Sequence, residues 1–444
     1  MKLWQKDGEL DKAVEIFTIG KDAEYDLLLA QHDVAGSLAH AQMLRQVGLL
    51  TETEWQELRR ALLEINKRIQ DGTYGIEAGM EDIHSQVEHD ITLALGDTGK
   101  KIHTGRSRND QVLTDLRLFF RDCIRDIVLA IGDLAQLCLT QSEKNKDMLL
   151  PGYTHLQAAM PSSFGLWFGA LAENLVDDLT LWQSIFQIIN QNPLGSAAGY
   201  GTSLPIDRSL TTKYLGFRDL DYNVIHAQLG RGRSEMFLAF GCASTGNTLA
   251  KLAMDVCLYA SQNFGFVSLP EKLTTGSSIM PHKKNPDVFE LIRARGNALG
   301  QLPSQIIATT GHLPSGYHRD YQLLKEAIIP ALLDLQSCLS MATYGIRHLE
   351  VSDNILHDPK YDLIFSVERV NELVTTGIPF REAYQTVARE IQEGKPMHRT
   401  ELDHSHQGSL GNLCNSEIEN KLGQILNSFD FSYEAQIEAL FASV

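Results

Sequence analysis

Residues 274–287 read Thr-Thr-Gly-Ser-Ser-Ile-Met-Pro-His-Lys-Lys-Asn-Pro-Asp: small and hydroxylic, then basic, then a proline suited to open a helix. Gly276 permits backbone angles closed to other residues. Such a loop can turn amide donors toward a carboxylate, and Lys283 and Lys284 add charge. A serine in it could act as a base if a nearby cation stabilised its alkoxide. An ordinary interhelical loop with exposed lysines accounts for the composition equally well. The stretch is neither a G-x-S-x-G elbow nor a G-x-x-x-x-G-K-[ST] phosphate loop.

Three further segments carry polar groups at useful spacing. Residues 103–111 hold Arg106, Arg108, Asn109 and Asp110 just ahead of a long apolar stripe. Two guanidinium groups and an amide make a carboxylate clamp. Asn109 or Asp110 could equally cap the helix that follows, and both readings can hold together. Residues 151–157 place His155 between Thr154 and Gln157, in a loop between two long helices. A lone histidine is more often structural, but hydrogen-bonding neighbours can set its tautomer. At residues 317–326, Tyr321 and Lys325 lie four apart and share a helical face. Spacing alone favours a capped surface helix there. His398, His404 and His406 fall in a polar stretch without a ligand set, which reads as a solvated loop. No metal and no cofactor are expected.

Long helices must position these groups. After Asp110, Leu113, Leu116, Phe120, Cys123, Ile127, Ile131, Leu134 and Leu137 recur at three- and four-residue steps, a helical face running toward Pro151-Gly152. Further helical runs are expected from Pro161 to Asn192, 234–263, 286–310 and 320–344. Shorter ones are expected at 35–47 and 52–70. Strand-like alternation is scarce. The fold class is therefore all-α: an elongated five-helix bundle at 108–353 between smaller helical domains at 1–107 and 354–444. Bundle helices apolar over more than one face point to association of bundles.

Composition bounds the function. The chain has 444 residues, 43% hydrophobic, enough for a large core. Its formal net charge of -17 argues against nucleic acid or an anionic membrane surface as partner. The opening Met-Lys-Leu-Trp-Gln-Lys-Asp-Gly-Glu has no apolar core of a signal peptide, and no transmembrane run is expected. The six cysteines form no CxxC pair and read as buried free thiols of a cytoplasmic protein.

Together these segments resemble the fumarase/aspartase superfamily, and within it the argininosuccinate branch. The loop Gly276-Ser277-Ser278-Ile279-Met280-Pro281 with Lys283 and Asn285-Pro286 is similar to the superfamily signature. Ser107–Gln111, Gly152–Gln157, Met80–His84 and Asp33–Ser37 are similar to the branch, as is the pair Lys283-Lys284. The resemblance implies a homotetramer with active sites shared by three subunits and a reversible β-elimination releasing fumarate. By position in the motif, Ser277 is the base, Lys283 stabilises its alkoxide, and Asn285 binds substrate. His155 falls on the acid side. Arg108, Asn109 and Thr154 would hold the fumarate-forming half. Tyr317, Gln322 and Lys325 would hold the arginine end, and the loop around Ser277 would be a lid.

The sequence also departs from the branch. Arg231 persists where the flanking acids are lost, Leu3-Trp4 persists without its usual neighbours, and Asp22 stands near an expected substrate-binding serine. His282 would suit an adenylosuccinate or related substituted-aspartate lyase, against Ser107–Gln111 and the double lysine. A non-catalytic, crystallin-like structural protein would leave Ser277, Lys283, His155 and Asn285 unexplained.

Overall fold

The computed structural model describes residues 12–77, 79–399, 402 and 404–442. The opening segment, with Leu3 and Trp4, lies outside them. The N-terminal part contains α1 (Lys12–Ile19), α2 (Asp22–Gln46), α3 (Glu52–Gln70), α4 (Ile83–Leu95) and the single turn α5 (Asp97–Lys100). Then come the long elements: α6 (Arg108–Lys144), α7 (Phe164–Ile189), the short α8 (Arg208–Tyr214), α9 (Val224–Tyr259), α10 (Asp287–Leu299), α11 (Leu302–Thr310) and α12 (Leu323–His348). The chain finishes with α13 (Ser366–Thr375), α14 (Phe380–Gln392), α15 (Asn415–Leu426) and α16 (Tyr433–Phe441). The expected all-α architecture stands. The bundle is α6, α7, α9, α12 and the pair α10/α11, with α6 on α7 and α9 on α10 as its most extensive pairings. At 1.5 Å per residue α6 is about 55 Å long.

The strands depart from expectation. β1 (Leu149–Thr154) pairs antiparallel with β2 (Gln157–Ser163); β3 (Gln191–Asn192) pairs with β4 (Asp219–Leu220), and β5 (Val267–Ser268) with β6 (Glu350–Val351). The first hairpin changes two helix boundaries. α6 stops at Lys144, and Pro161 sits in β2, where it does not open α7. Ser163 caps α7 instead, its Oγ accepting from Leu166 N at 3.1 Å. The run expected over 286–310 splits at Gly300-Gln301, and the helix expected at 35–47 reaches back to Asp22.

Two apolar clusters carry the packing. One lies beneath α2, α3 and α4, with Val34, Leu44, Leu58, Leu62 and Ile91. The other fills the bundle and takes in Phe365, Val387, Leu422 and Tyr433 from residues after 354. The helical stretch Arg319–His348 is apolar and long enough, by length and composition alone, to cross a membrane. It packs against α6, α9, α10 and α11, and Ile328, Leu332, Leu335 and Ile346 are buried in the bundle core. Interior packing accounts for much of its hydrophobicity.

The α9–α10 crossing depends on two glycines. A Cβ on Gly296 would lie 2.3 Å from Gly246 O, and one on Gly246 would lie 3.0 Å from Gly296 O. The obstacle is backbone, which cannot rotate aside. Gly296→Ala should force the helices apart and cost about 1–3 kcal/mol. Thermal unfolding should show a clear drop in midpoint; an unchanged midpoint would mean the helices do not approach this closely.

Candidate functional site

Six of the expected site residues come together in one pocket. It is lined by Arg108, Asn109, Arg231, Tyr317, Gln322 and Lys325, with Asp22, Asp26, Glu81, Asp82, Val112 and Arg319. Ser107 caps α6 in a reciprocal box with Asp110, which leaves Arg108 and Asn109 in the first turn. Arg108 Nη2 donates to Ser85 Oγ at 2.7 Å, and its Nε lies 3.1 Å from Asp82 Oδ2. Asp82 caps α4 by accepting from Ser85 N at 2.8 Å. Burial pushes the Asp82 carboxyl up, but His84 and Arg108 outweigh it and hold it below the usual range.

Arg231 reaches the pocket because α9 breaks there. Arg231 has ψ 133° and Gly232 has φ 81°, so the helix expected from Ser234 continues an earlier segment across a kink. Arg231 Nη2 donates to Tyr321 O at 2.9 Å, and its Nε lies 3.2 Å from Glu235 Oε1. Gly232 N donates to the same carboxylate at 2.8 Å, which fixes the bend. Tyr317 precedes a short 3-10 turn, Arg319–Gln322, and Gln322 is its last residue. Gln322 Nε2 donates at 2.8 Å to both Thr18 O and Ile19 O, which brings the end of α1 onto the pocket. The capped surface helix does not form here: Lys325 is 2% exposed, and its Nζ lies 2.5 Å from Asp26 Oδ1 and 2.6 Å from Asp22 Oδ1.

Behind the pocket lies a buried ionic cluster. His84 Nδ1 stands 2.8 Å from Asp33 Oδ1 and 3.3 Å from Asp115 Oδ2, all three side chains being at most 2% exposed. Burial alone would strip the imidazolium of its proton. The carboxylates of Asp33, Asp115 and Asp82 reverse that and raise His84 to about 9. Burial, with Asp33 next to it, pushes Asp115 well above the usual carboxylate range. These three residues have the spacing to ligate a cation. The proton held on His84 already balances part of the acidic charge.

The remaining expected residues lie on two projecting loops, and none of them lines the pocket. Thr154 pairs with Gln157 across the β1–β2 hairpin, and His155 and Leu156 form its two-residue tip with φ 53° and 57°. Two positive φ values in a two-residue turn match the twist of the strands, but leucine rarely adopts this conformation. The Gln157 amide donates to Leu156 O at 3.3 Å, away from the His155 ring. The second loop is closed at its neck by a bridge between Thr275 and Asn285. Within it Ser277 Oγ faces two backbone donors, Met280 N at 3.2 Å and Ile279 N at 3.4 Å. Asn285 Nδ2 points back to Gly276 O at 3.4 Å, and Lys283 is exposed. Both loops expose apolar tips: Leu156 is 78% and Ile279 83% exposed.

Sequence reasoning missed Asp26 and Arg319, and gave no role to Glu81, Asp82, Asp33, His84 or Asp115. Signals existed: Asp22 and Asp26 are four apart on one helical face, and Asp115 interrupts an apolar run of α6. Of the C-terminal histidines, His406 is exposed as expected, whereas His398 and His404 are partly buried. The His404 ring nitrogens lie 3.0 Å from Ser409 Oγ and 3.1 Å from Glu368 Oε1, and the His398 ring packs on Phe365.

Comparison with known proteins agrees over nearly the whole chain. A family model described as Lyase matches residues 5–298. Argininosuccinate lyase of Bacteroides thetaiotaomicron is 54% identical over 437 residues, 98% of each chain. That of Parabacteroides distasonis is 55% identical over 430 residues, 97% of this chain and 96% of the relative. That of Thermotoga neapolitana is 38% identical over 89% of this chain and 99% of the relative. Among solved structures, EDDS lyase in complex with formate superposes with TM-score 0.73 at 22% identity, covering 97% of this chain and 93% of the other. Class II fumarase from Schistosoma mansoni gives 0.70 at 15%, covering 94% and 95%. At these identities the solved structures speak to fold alone.

The buried cluster sets a pH dependence. Its folded-state pKa lies above the ordinary 6.5, so the stability His84 contributes is full below about 6.5 and is lost as pH rises through about 9. Raised Asp115 acts in the same direction. His84→Asn leaves two buried carboxylates without their cation and should cost about 3 kcal/mol at neutral pH. Unfolding midpoints measured from pH 6 to 9 should fall more steeply for the wild type than for the variant, in which Asp115 still titrates. Parallel curves would remove His84 as the titrating group.

Proposed function

The chain belongs to the argininosuccinate lyase family, and from that premise we propose that it splits argininosuccinate into arginine and fumarate by β-elimination. The observation that carries this is 52–55% identity to argininosuccinate lyases over essentially the full length. The pocket and loop geometry supports the roles of particular residues. Ser277 is the base that takes the proton from the succinyl carbon next to a carboxylate. Its Oγ already accepts from Ile279 N and Met280 N, donors that would hold the charge of an alkoxide. Lys283 adds a cation to the same loop. The electron pair left on carbon moves into the carboxylate, giving a dianion that amide donors and cations stabilise. It then returns to form the fumarate double bond as the C–N bond breaks. The departing guanidino nitrogen takes a proton from the side of the site that His155 occupies. Arg108, Asn109, Thr154 and Asn285 hold the fumarate-forming half; Tyr317, Gln322, Lys325 and Arg231 form the arginine end.

The proposal includes a homotetramer in which other copies bring the loops of Ser277 and His155 to the pocket of a third. The exposed tips Leu156 and Ile279 support it. So do exposed apolar side chains on the bundle helices: Phe240 and Met254 on the part of α9 beyond its kink, with Leu291, Ile307 and Leu333 on neighbouring helices. A cytoplasmic setting is also proposed. Free thiols at Cys123, Cys138, Cys242 and Cys338, all buried, support it. The proposed division at 1–107, 108–353 and 354–444 draws only partial support at its first boundary from the apolar cluster under α2–α4, because Leu118, Leu194, Leu215, Phe217 and Leu440 join that cluster from beyond the boundary.

Purified protein offered argininosuccinate and adenylosuccinate side by side should release fumarate, read by ultraviolet absorbance, from argininosuccinate only. Release from adenylosuccinate alone would overturn the substrate assignment. Ser277→Ala should lower kcat by about a thousandfold with the oligomer intact by size exclusion. Near-normal turnover would remove Ser277 as base. Hybrid oligomers of Ser277→Ala and Gln322→Ala chains should recover part of the activity that each variant alone lacks. No recovery would argue for sites built within one chain.

A further inference from the structure

The hairpin that carries His155 stands away from the body of the chain. Burial along β1 and β2 ends at Pro151 and Pro161, and residues 152–160 are half-buried or exposed. The ladder is also interrupted there. Gly152 pairs with Met160 but Tyr153 with Ala158, so Ala159 is the extra residue of a bulge, which re-aims what lies beyond it. A two-stranded ribbon is marginal by itself, and this one bears two left-handed residues at its tip. Its direction needs an anchor. Tyr153, two residues before His155, reaches back to the body. Its ring meets the Phe264 ring edge-on at 5.7 Å and the Phe266 ring at 6.4 Å, and its hydroxyl lies 3.3 Å from that of Tyr361. The receiving surface is firmly held. Phe266 and Tyr361 are buried, with their rings 6.3 Å apart. Phe266 N donates to Tyr259 O, and Phe266 O accepts from Ser352 N, both at 2.9 Å.

We propose that Tyr153 is a positioning residue: its ring, seated against Phe264, Phe266 and Tyr361, sets the direction in which the hairpin presents the His155 imidazole. This deepens the lyase reading and rests on it. Edge-on ring pairs hold an orientation as well as burying area. A proton donor displaced by about 1 Å can lose about a hundredfold in rate. The ring is the larger part of the anchor, because 3.3 Å is long for a bond between hydroxyls. Tyr153 belongs to the root of the ribbon, so its effect on turnover passes through the imidazole at the tip.

The test uses the intact oligomer, checked by size exclusion, and steady-state turnover of argininosuccinate. Tyr153→Leu should lower kcat about tenfold and change KM little. Tyr153→Phe, which keeps the ring, should recover most of that loss. In a His155→Asn background, Tyr153→Leu should cause no further fall in kcat, because the imidazole it aims is gone. A second tenfold fall there would mean a structural role independent of His155 and would overturn the proposal. So would a rise in KM with kcat unchanged, which would assign the ring to Thr154. If Tyr153→Leu does not assemble, Phe264→Leu opens the same contact from the other side and should show the same pattern. Hydrogen exchange across residues 149–163, which needs no turnover, should quicken in Tyr153→Leu and not in Tyr153→Phe. Equal exchange in the wild type and both variants would overturn the proposal. No fumarate from the wild type would sink the lyase reading, whereas additive losses in an active enzyme would sink the positioning role alone.

Discussion

A charge removed from water must find its opposite nearby, and here that requirement binds the N-terminal helices to the bundle. Lys325 on α12 meets Asp22 and Asp26 on α2. His84 on α4 meets Asp33 on α2 and Asp115 on α6. Arg108 on α6 meets Glu81 and Asp82 in the turn before α4. Each partner sits on a different element, so each pair fixes one helix against another. Breaking such a pair strands a buried charge, at a cost that an apolar contact does not incur. The pocket is the space these pairs enclose, and its shape follows from them.

That mode of construction explains the division between pocket and loops. Pocket residues are held by buried charge and by caps, as Ser107 and Asp82 illustrate. The loops of Ser277 and His155 are held by backbone bonds at their necks and leave their ends in solvent. A projecting loop can approach a pocket on another copy, whereas a side chain locked in an ionic cluster cannot. The hairpin tip at His155-Leu156 illustrates the cost of projection: two side chains occupy left-handed backbone so that one imidazole stands at the end of the ribbon.

The long helices supply the other half of the framework. Their interior is apolar enough that Arg319–His348 matches a membrane span in composition, yet it is a bundle core helix. Where two helices need to come closer than side chains allow, Gly246 and Gly296 permit backbone contact. Where one helix must turn a guanidinium into the pocket, Arg231 and Gly232 break it. Regular packing fixes the scaffold, and a few local irregularities aim the chemistry.

The sequence by itself determined the all-α class, the course of α6 and α3 and the identity of the chemically distinctive segments. Periodicity and loop composition are local properties, readable over a few turns. It did not reveal the β1–β2 hairpin, because Leu149–Ser163 lacks clean alternation and Pro161 also suits the start of a helix. It placed Lys325 on a surface helix, because four-residue spacing says which side chains share a face and not which way that face looks. Only the tertiary structure decided that Lys325 is buried between Asp22 and Asp26, and that Asp33, His84 and Asp115 meet. Those residues lie up to 303 positions apart in the chain, and pairing of buried charge is a property of neighbours in space.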